Sequence, residues 1–128
     1  MRCSEICGLK INDINGAVAR LPNTKNGQVR NVPLSKEALR IIEQLPKING
    51  SDSVFYLKTT TVDVLFRKIK DRAGINDLHF HDTRHEAIKR LARKLEVLDL
   101  ARMVGHKDLK QLMVYYNATA SEISSRLG

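Results

Sequence analysis

The side chains able to do chemistry are few and mostly cationic: Arg2, Lys25, His81, Arg84, His85 and His106, with the adjacent pair Tyr115-Tyr116 near the end of the chain. Arginine forks match phosphate oxygens two at a time, so these cations suit a phosphate. A tyrosine beside such a cluster gains a chemical meaning. Its ordinary pKa of about 10 leaves about one phenol in a thousand ionised at neutral pH, but nearby cations favour the phenolate, which can attack phosphorus. The densest segment is Leu78-His79-Phe80-His81-Asp82-Thr83-Arg84-His85. It crowds histidines, a carboxylate and an arginine into the mouth of a predicted helix, a place that favours anions.

Taken singly, each residue has a plainer reading. Arg2 is a terminal charge, and Lys25 beside Asn26-Gly27 is a solvated turn lysine. His106 after Gly105 complements a helix C-terminus, and the two tyrosines pack on an amphipathic helix. His79 is incidental. His81 and His85 stand four apart, the spacing by which a helix offers two ligands to zinc. Three features weigh against that: Asp82 replaces the glutamate base of such motifs with a shorter arm, Arg84 sets a cation beside the metal, and no third ligand follows at a fitting interval. No metal and no cofactor are expected.

The elements that must position these residues are legible from capping and periodicity. In the histidine-rich helix, Asp82 or Thr83 is the expected cap, and Ile88, Leu91, Ala92 and Leu95 form the apolar stripe. Residues 2–9 read as a short helix. Residues 11–21 are rich in β-branched side chains with Asn15-Gly16 as a tight turn, and Asn26-Gly27 marks a second, giving an antiparallel sheet of about three strands. Leu34, Ser35 and Leu39 open a helix whose Leu39, Ile42 and Leu45 share a face, closed by Pro46. The apolar stretch Val54-Phe55-Tyr56-Leu57 leads to a helix capped near Thr60 and Asp63, with Val62, Leu65, Phe66 and Ile69 as its buried face and Gly74 as its stop. Three short helices follow: 97–104, stopped by Gly105; one from about Asp108 that turns Leu109, Leu112, Met113 and Tyr115 or Tyr116 inward; and 120–127, with Thr119 and Glu122 as a capping box. The fold class is α+β, mostly helical with a small three-stranded antiparallel sheet near the N-terminus.

With 128 residues and 42% hydrophobic content, the chain supports one core and one domain. A formal charge of +8 and a pI near 9.8 point to nucleic acid or an anionic membrane surface as partner. Cys3 and Cys7, the only cysteines, read as two reduced thiols in or near the core. No signal peptide or membrane-length apolar run is visible, so a cytoplasmic location is the default expectation.

Four blocks, Arg2-Cys3-Ser4-Glu5-Ile6-Cys7-Gly8-Leu9, Lys25 on a hairpin, His81-Asp82-Thr83-Arg84-His85, and Gly105-His106 through Tyr115, stand in the order and spacing of the tyrosine recombinases. The chain resembles this phage-integrase family over nearly its whole length. The resemblance implies a catalytic domain spanning residues 1–128, without the helices that precede the first arginine in the family and without the N-terminal core-binding domain. It implies an enzyme that cleaves and rejoins double-stranded DNA without metal, by attack of a tyrosine to give a 3′-phosphotyrosine and a free 5′-hydroxyl. By match to the motifs, Arg2 and Arg84 clamp the non-bridging oxygens, His81 and His106 complete that cage, Lys25 protonates the leaving oxygen and Tyr115, rather than Tyr116, is the nucleophile. Glu5 and His85 are supporting residues, His85 as a buried, hydrogen-bonded side chain. Ile11 departs from the family, which often has an aromatic residue there. The family assembles protomers on DNA as a tetramer, and Ile123 and Leu127 offer a small apolar face for passing the last helix to a neighbour. A DNA-binding fragment without catalysis, or relaxation by the same tyrosine chemistry in a topoisomerase of type IB, are the readings left beside this one.

Overall fold

The computed structural model describes residues 1–22, 27–105 and 109–128. Among them, seven helices and one three-stranded antiparallel sheet follow the expected order, and about half of the chain is helical. Helix α1 is Cys3–Cys7, and a single 3-10 turn at Ile11–Asp13 leads into strands β1 (Ile14–Asn15), β2 (Val18–Leu21) and β3 (Arg30–Pro33). The sheet order is β1-β2-β3, with Ile14 opposite Ala19, and Ala19 in turn opposite Val32. The β1–β2 turn lies one residue later than the Asn15-Gly16 signal: Asn15 still pairs with Val18, and Gly16 and Ala17 make the connection, Gly16 at φ +58°. Only a residue tolerant of positive φ closes so tight a hairpin without strain.

Strict alternation fixes which side of the sheet is inside. Ala19 and Leu21 of β2 and Val32 of β3 are buried while their neighbours are exposed. Arg30 occupies the same inward face, opposite Leu21. Leu9, Ala19, Leu21, Val32 and Val54 form the first core cluster, with Ile42 and Leu45 packed on it from α2 (Lys36–Gln44). Ser35 caps α2 as expected, its hydroxyl accepting the Ala38 amide at 3.1 Å.

Helix α3 (Thr59–Arg72) departs from expectation at both its start and its face. Its N-cap is Lys58, in extended backbone, so Thr60 and Asp63 lie inside the helix. Of the expected stripe, Val62 and Phe66 are half-buried and Leu65 and Ile69 are exposed, because among the described residues α3 packs chiefly against α1 and α4. Phe66 meets Phe80 of α4 edge to face, with ring centroids 5.6 Å apart. Gly74 ends the segment at φ +69°, as a C′ glycine does.

Helices α4 (Phe80–Leu91), α5 (Val97–Val104), α6 (Lys110–Met113) and α7 (Ala120–Arg126) complete the chain. Neither Asp82 nor Thr83 is the N-cap of α4; His79 is, and Asp82 is the third helical residue, its carboxylate accepting the His79 amide at 2.8 Å. The second core cluster is Ile88, Leu100, Ala101, Val104 and Leu112, with Leu91, Ala92, Leu95, Tyr115 and Tyr116 against it. Only Leu112 of α6 is fully inside; Leu109 and Met113 are exposed, since a helix of four residues turns just one side chain inward. The Thr119/Glu122 capping box on α7 forms as expected. Strand β3 packs against α5, so the two clusters meet where α5 ends. No helix among the described residues is long and apolar enough to cross a membrane.

Candidate active site

Three arginines and one glutamate are gathered where α1, β3 and the C-terminus of α5 meet. Arg2 is the N-cap residue of α1, and three residues on, Glu5 points to the same side of the helix; Arg2 Nη1 donates to Glu5 Oε1 at 3.2 Å. The other carboxylate oxygen, Oε2, accepts from Nη2 of Arg30, whose inward position on β3 brings it to Glu5 across the sheet edge. Arg84 enters from α4 and donates through Nη2 to the carbonyl of Val104 at 2.9 Å. That carbonyl belongs to the last turn of α5, where helix carbonyls lack intrahelical partners and the dipole is negative, so it is a natural seat for a guanidinium.

The electrostatics of this cluster are unbalanced. Burial alone would raise the Glu5 pKa, but the hydrogen bond and charge of Arg30, reinforced by Arg2, outweigh it and hold the carboxyl below the usual carboxylate range. Burial first, then the charges of Arg2 and Arg30, lowers the proton affinity of Arg84, against the opposing pull of Glu5. An arginine nevertheless keeps its proton in a protein. Three guanidiniums face one carboxylate, which leaves two positive charges uncompensated among these four side chains. Arg84 is 7% exposed and its Nη1 is buried with no hydrogen-bond partner among the described residues; the same holds for Nε of Arg30. Buried N–H donors on uncompensated cations are expensive unless an anion meets them.

The other side of α4 is different. His81 and His85 are both exposed, their rings edge to face at a centroid distance of 5.0 Å. His85 is therefore not the buried residue expected of it: at one residue beyond Arg84, helical geometry turns it about 100° away from the core. His85 lines an open cleft of about 810 Å³ together with Thr83, Ala87, Lys89, Arg90 and Tyr115. Arg84 borders a second recess with Met1, Ile6, Val32 and Val104, and the two recesses share Thr83 and Ala87. The structure thus brings Arg2, Glu5 and Arg84 together, places His81 and His85 on the adjacent outer face, and sets Tyr115, half-buried, on the His85 side. Lys25 and His106 lie outside the described residues.

The two tyrosines are distinct in their surroundings. Tyr116 donates its hydroxyl to the Leu95 carbonyl at 2.7 Å, and burial, with the nearby Glu96 charge, pushes its pKa up. Arg30 is the residue the sequence reading missed. The signal was available, since the alternation Arg30-Asn31-Val32 puts Arg30 on the face of a core valine; the adjoining turn drew the reading to Lys25 instead. The Val104 carbonyl, a backbone atom, left no trace in residue types. Among the described residues, no three histidine, cysteine or acidic side chains gather as a metal would require. Cys3 and Cys7 are half-buried free thiols with sulfurs 4.0 Å apart, and burial, then Cys7, pushes Cys3 up to about 11.

Against known proteins, the sequence profile described as the phage integrase family matches residues 1–122. The chain belongs to that family. An integrase/recombinase of Haemophilus influenzae is 43% identical over 99% of the chain, which covers 43% of that relative. The shufflon-specific DNA recombinase of Escherichia coli is 37% identical over 99% of the chain and 34% of its own length. The chain therefore spans well under half the length of these recombinases. In three dimensions, the integrase of the Tn1549 transposon, solved in complex with circular intermediate DNA, superposes with a TM-score of 0.71 over 99% of the chain and 55% of its own, at 22% identity, which speaks for the fold.

Proposed function

We propose that the chain is the catalytic part of a site-specific DNA recombinase, in which Tyr115 attacks a DNA phosphodiester. Tyr115 gives up its phenol proton to solvent, and its oxygen forms a bond to phosphorus as the bond to the 5′-oxygen breaks, giving a 3′-phosphotyrosine; the departing oxygen takes a proton from Lys25 and leaves as a hydroxyl. Reversal of the step on a new 5′-hydroxyl rejoins the strand. Arg2 and Arg84 hold the non-bridging oxygens, with His81 and His106 completing the cage.

The observation that carries this reading is the buried guanidinium cluster with two uncompensated charges and an unpartnered Nη1 on Arg84. A phosphodiester in flight carries growing charge on those oxygens, and donors fixed in advance stabilise it without reorganising. The choice of Tyr115 is supported by the engagement of Tyr116, whose hydroxyl is already given to Leu95 and whose pKa shift runs against activation. The partner is double-stranded DNA, recognised through its backbone by a chain of net charge +8, and the setting is the cytoplasm. Protomers assemble on it as a tetramer, and the exposure of Ile123 and Leu127 on and beside α7 suits exchange of that helix between copies.

The test uses nicked duplexes of randomised sequence with a 5′-bridging sulfur at the scissile position, a leaving group that needs no proton and cannot rejoin. The wild-type chain should accumulate a covalent DNA adduct that resists denaturation. Tyr115→Phe should form none and Tyr116→Phe should retain it; the reverse pattern reassigns the nucleophile, and DNA binding without any adduct refutes the enzyme.

A further inference from the structure

We infer that Arg30 is a positioning residue of the phosphate site, holding Arg2 through Glu5 while it packs the Gly105 turn that leads to His106. The inference rests on the functional reading above. Arg30 is 8% exposed on the core face of β3, beside Val32 and opposite Leu21. A charge there gains nothing in stability over a well-packed apolar side chain, because desolvation cancels most of the attraction in a buried pair. Its contacts explain the placement better. It takes one oxygen of Glu5 while Arg2 takes the other, so the carboxylate has a fixed orientation and Arg2 a fixed anchor.

The same guanidinium also abuts the Gly105 turn. Gly105 has φ +76°, and a Cβ added there would stand 2.3 Å from Arg30 Nη1 and 3.0 Å from Cζ. The positive φ favours glycine there, and the absence of a side chain leaves room for the arginine to pack on the turn. Arg30 joins α1, which carries Arg2, to the end of α5, whose Val104 carbonyl seats Arg84 and whose next residue but one is His106. Arg84 is seated directly on the Val104 carbonyl, outside the Glu5 contacts, whereas Arg2 is held within them. Loss of Arg30 should therefore misplace one arm of the clamp and leave the other.

The experiment is a double-mutant cycle of Arg30→Met and Glu5→Gln in the full chain, with single-turnover cleavage of the sulfur-bridged DNA, DNA affinity and thermal unfolding read for each. Arg30→Met should slow cleavage on the order of a hundredfold, the cost of a clamp misplaced by about 1 Å, with DNA affinity changed far less. Its cost should largely vanish in the Glu5→Gln background, since both variants break one chain of contacts. Methylguanidinium should partly restore the rate to Arg30→Ala. If Arg30→Met alone does not fold, the double variant, which leaves no unpaired carboxylate, decides: folded and slow supports the inference, folded and as fast as wild type overturns it, as do additive losses in the cycle. If the wild-type chain forms no adduct, the functional reading fails, and Arg30 is judged by the resonance of the Arg2 Nη1–H that donates to Glu5. Collapse of that resonance to the solvent-exchanging position in Arg30→Met supports the bridge, and an unchanged resonance overturns it.

Discussion

Arg84 and His85 are consecutive residues on α4 and belong to two different environments. Arg84 is buried against the end of α5 within a cluster whose members fix one another: Glu5 holds Arg2 and Arg30, and Val104 holds Arg84. His85 stands in solvent beside His81 and opens on the broad cleft that Tyr115 shares. One turn of helix has divided a five-residue motif between a buried guanidinium cluster and an open face. The division suits a strand-transfer enzyme, in which the charge-binding donors must be in place before the reaction while DNA and the nucleophile must have access. It also says where the stability is concentrated, and the two sides should respond differently to substitution.

The largest effect should come from Glu5. In Glu5→Ala, Arg2 and Arg30 lose the one carboxylate paired with them among the described residues, and a buried ion pair broken from one side costs about 3–5 kcal/mol; urea unfolding of wild type and variant measures it. The same carboxylate gives the inner side a pH signature. Its folded-state pKa is depressed, so its contribution is fully present above the unfolded value of about 4.3 and is lost as pH falls through the lower folded value. Wild type should therefore lose stability below about pH 4.3 more steeply than Glu5→Gln does. Parallel acid curves for the two would mean that Glu5 is not held by its arginines.

Leu112 tests the wall between the two environments. It is 1% exposed in the cluster of Ile88, Leu100 and Val104, and truncation of such a leucine to alanine costs about 2–5 kcal/mol through lost transfer energy and a cavity. Met113, next to it and 60% exposed, should tolerate alanine within about 0.5 kcal/mol. Denaturant midpoints of the pair decide whether α6 is held by that single side chain.

The same elements show how far residue types carry. Helix α5, the capping box of α7 and the three strands were readable because local signals, a C′ glycine, a Thr-x-x-Glu pair and β-branched residues beside Asn-Gly turn signals, agree with the packing. The face of α3 was not, since Leu65 and Ile69 have the right period and are left exposed; periodicity says which residues share a face and says nothing of what covers it. In the site, motif spacing reached Arg2, Glu5 and Arg84, whose meeting requires two elements distant in the chain, α1 and α4, to converge. It missed Arg30, whose strand is only four residues long, and it expected His85 to be buried, although the Arg84/Ile88 spacing of i, i+4 gives the inward face to Arg84. With His79 as N-cap, Arg84 and Ile88 face inward and His85 cannot.

Tyr116 should give a smaller effect. Phenylalanine there keeps the ring and leaves the Leu95 carbonyl without its 2.7 Å hydrogen bond, a loss of about 1 kcal/mol in unfolding free energy. A change well below that would mean the hydroxyl is free, and Tyr116 would regain equal standing with Tyr115 as nucleophile.

The smallest effect on stability is expected at His85, and it decides the comparison most directly. An exposed side chain whose described ring contact is an edge-to-face approach to another exposed histidine contributes little to folding, so His85→Ala should unfold within about 0.5 kcal/mol of wild type. A loss of more than about 1 kcal/mol would require a buried, hydrogen-bonded imidazole, and α4 would have to be rotated from its present phase. Rotation would carry Arg84 away from Val104 at the same time. The two neighbours cannot both be inside: if His85 proves structural, the guanidinium cluster as described is wrong.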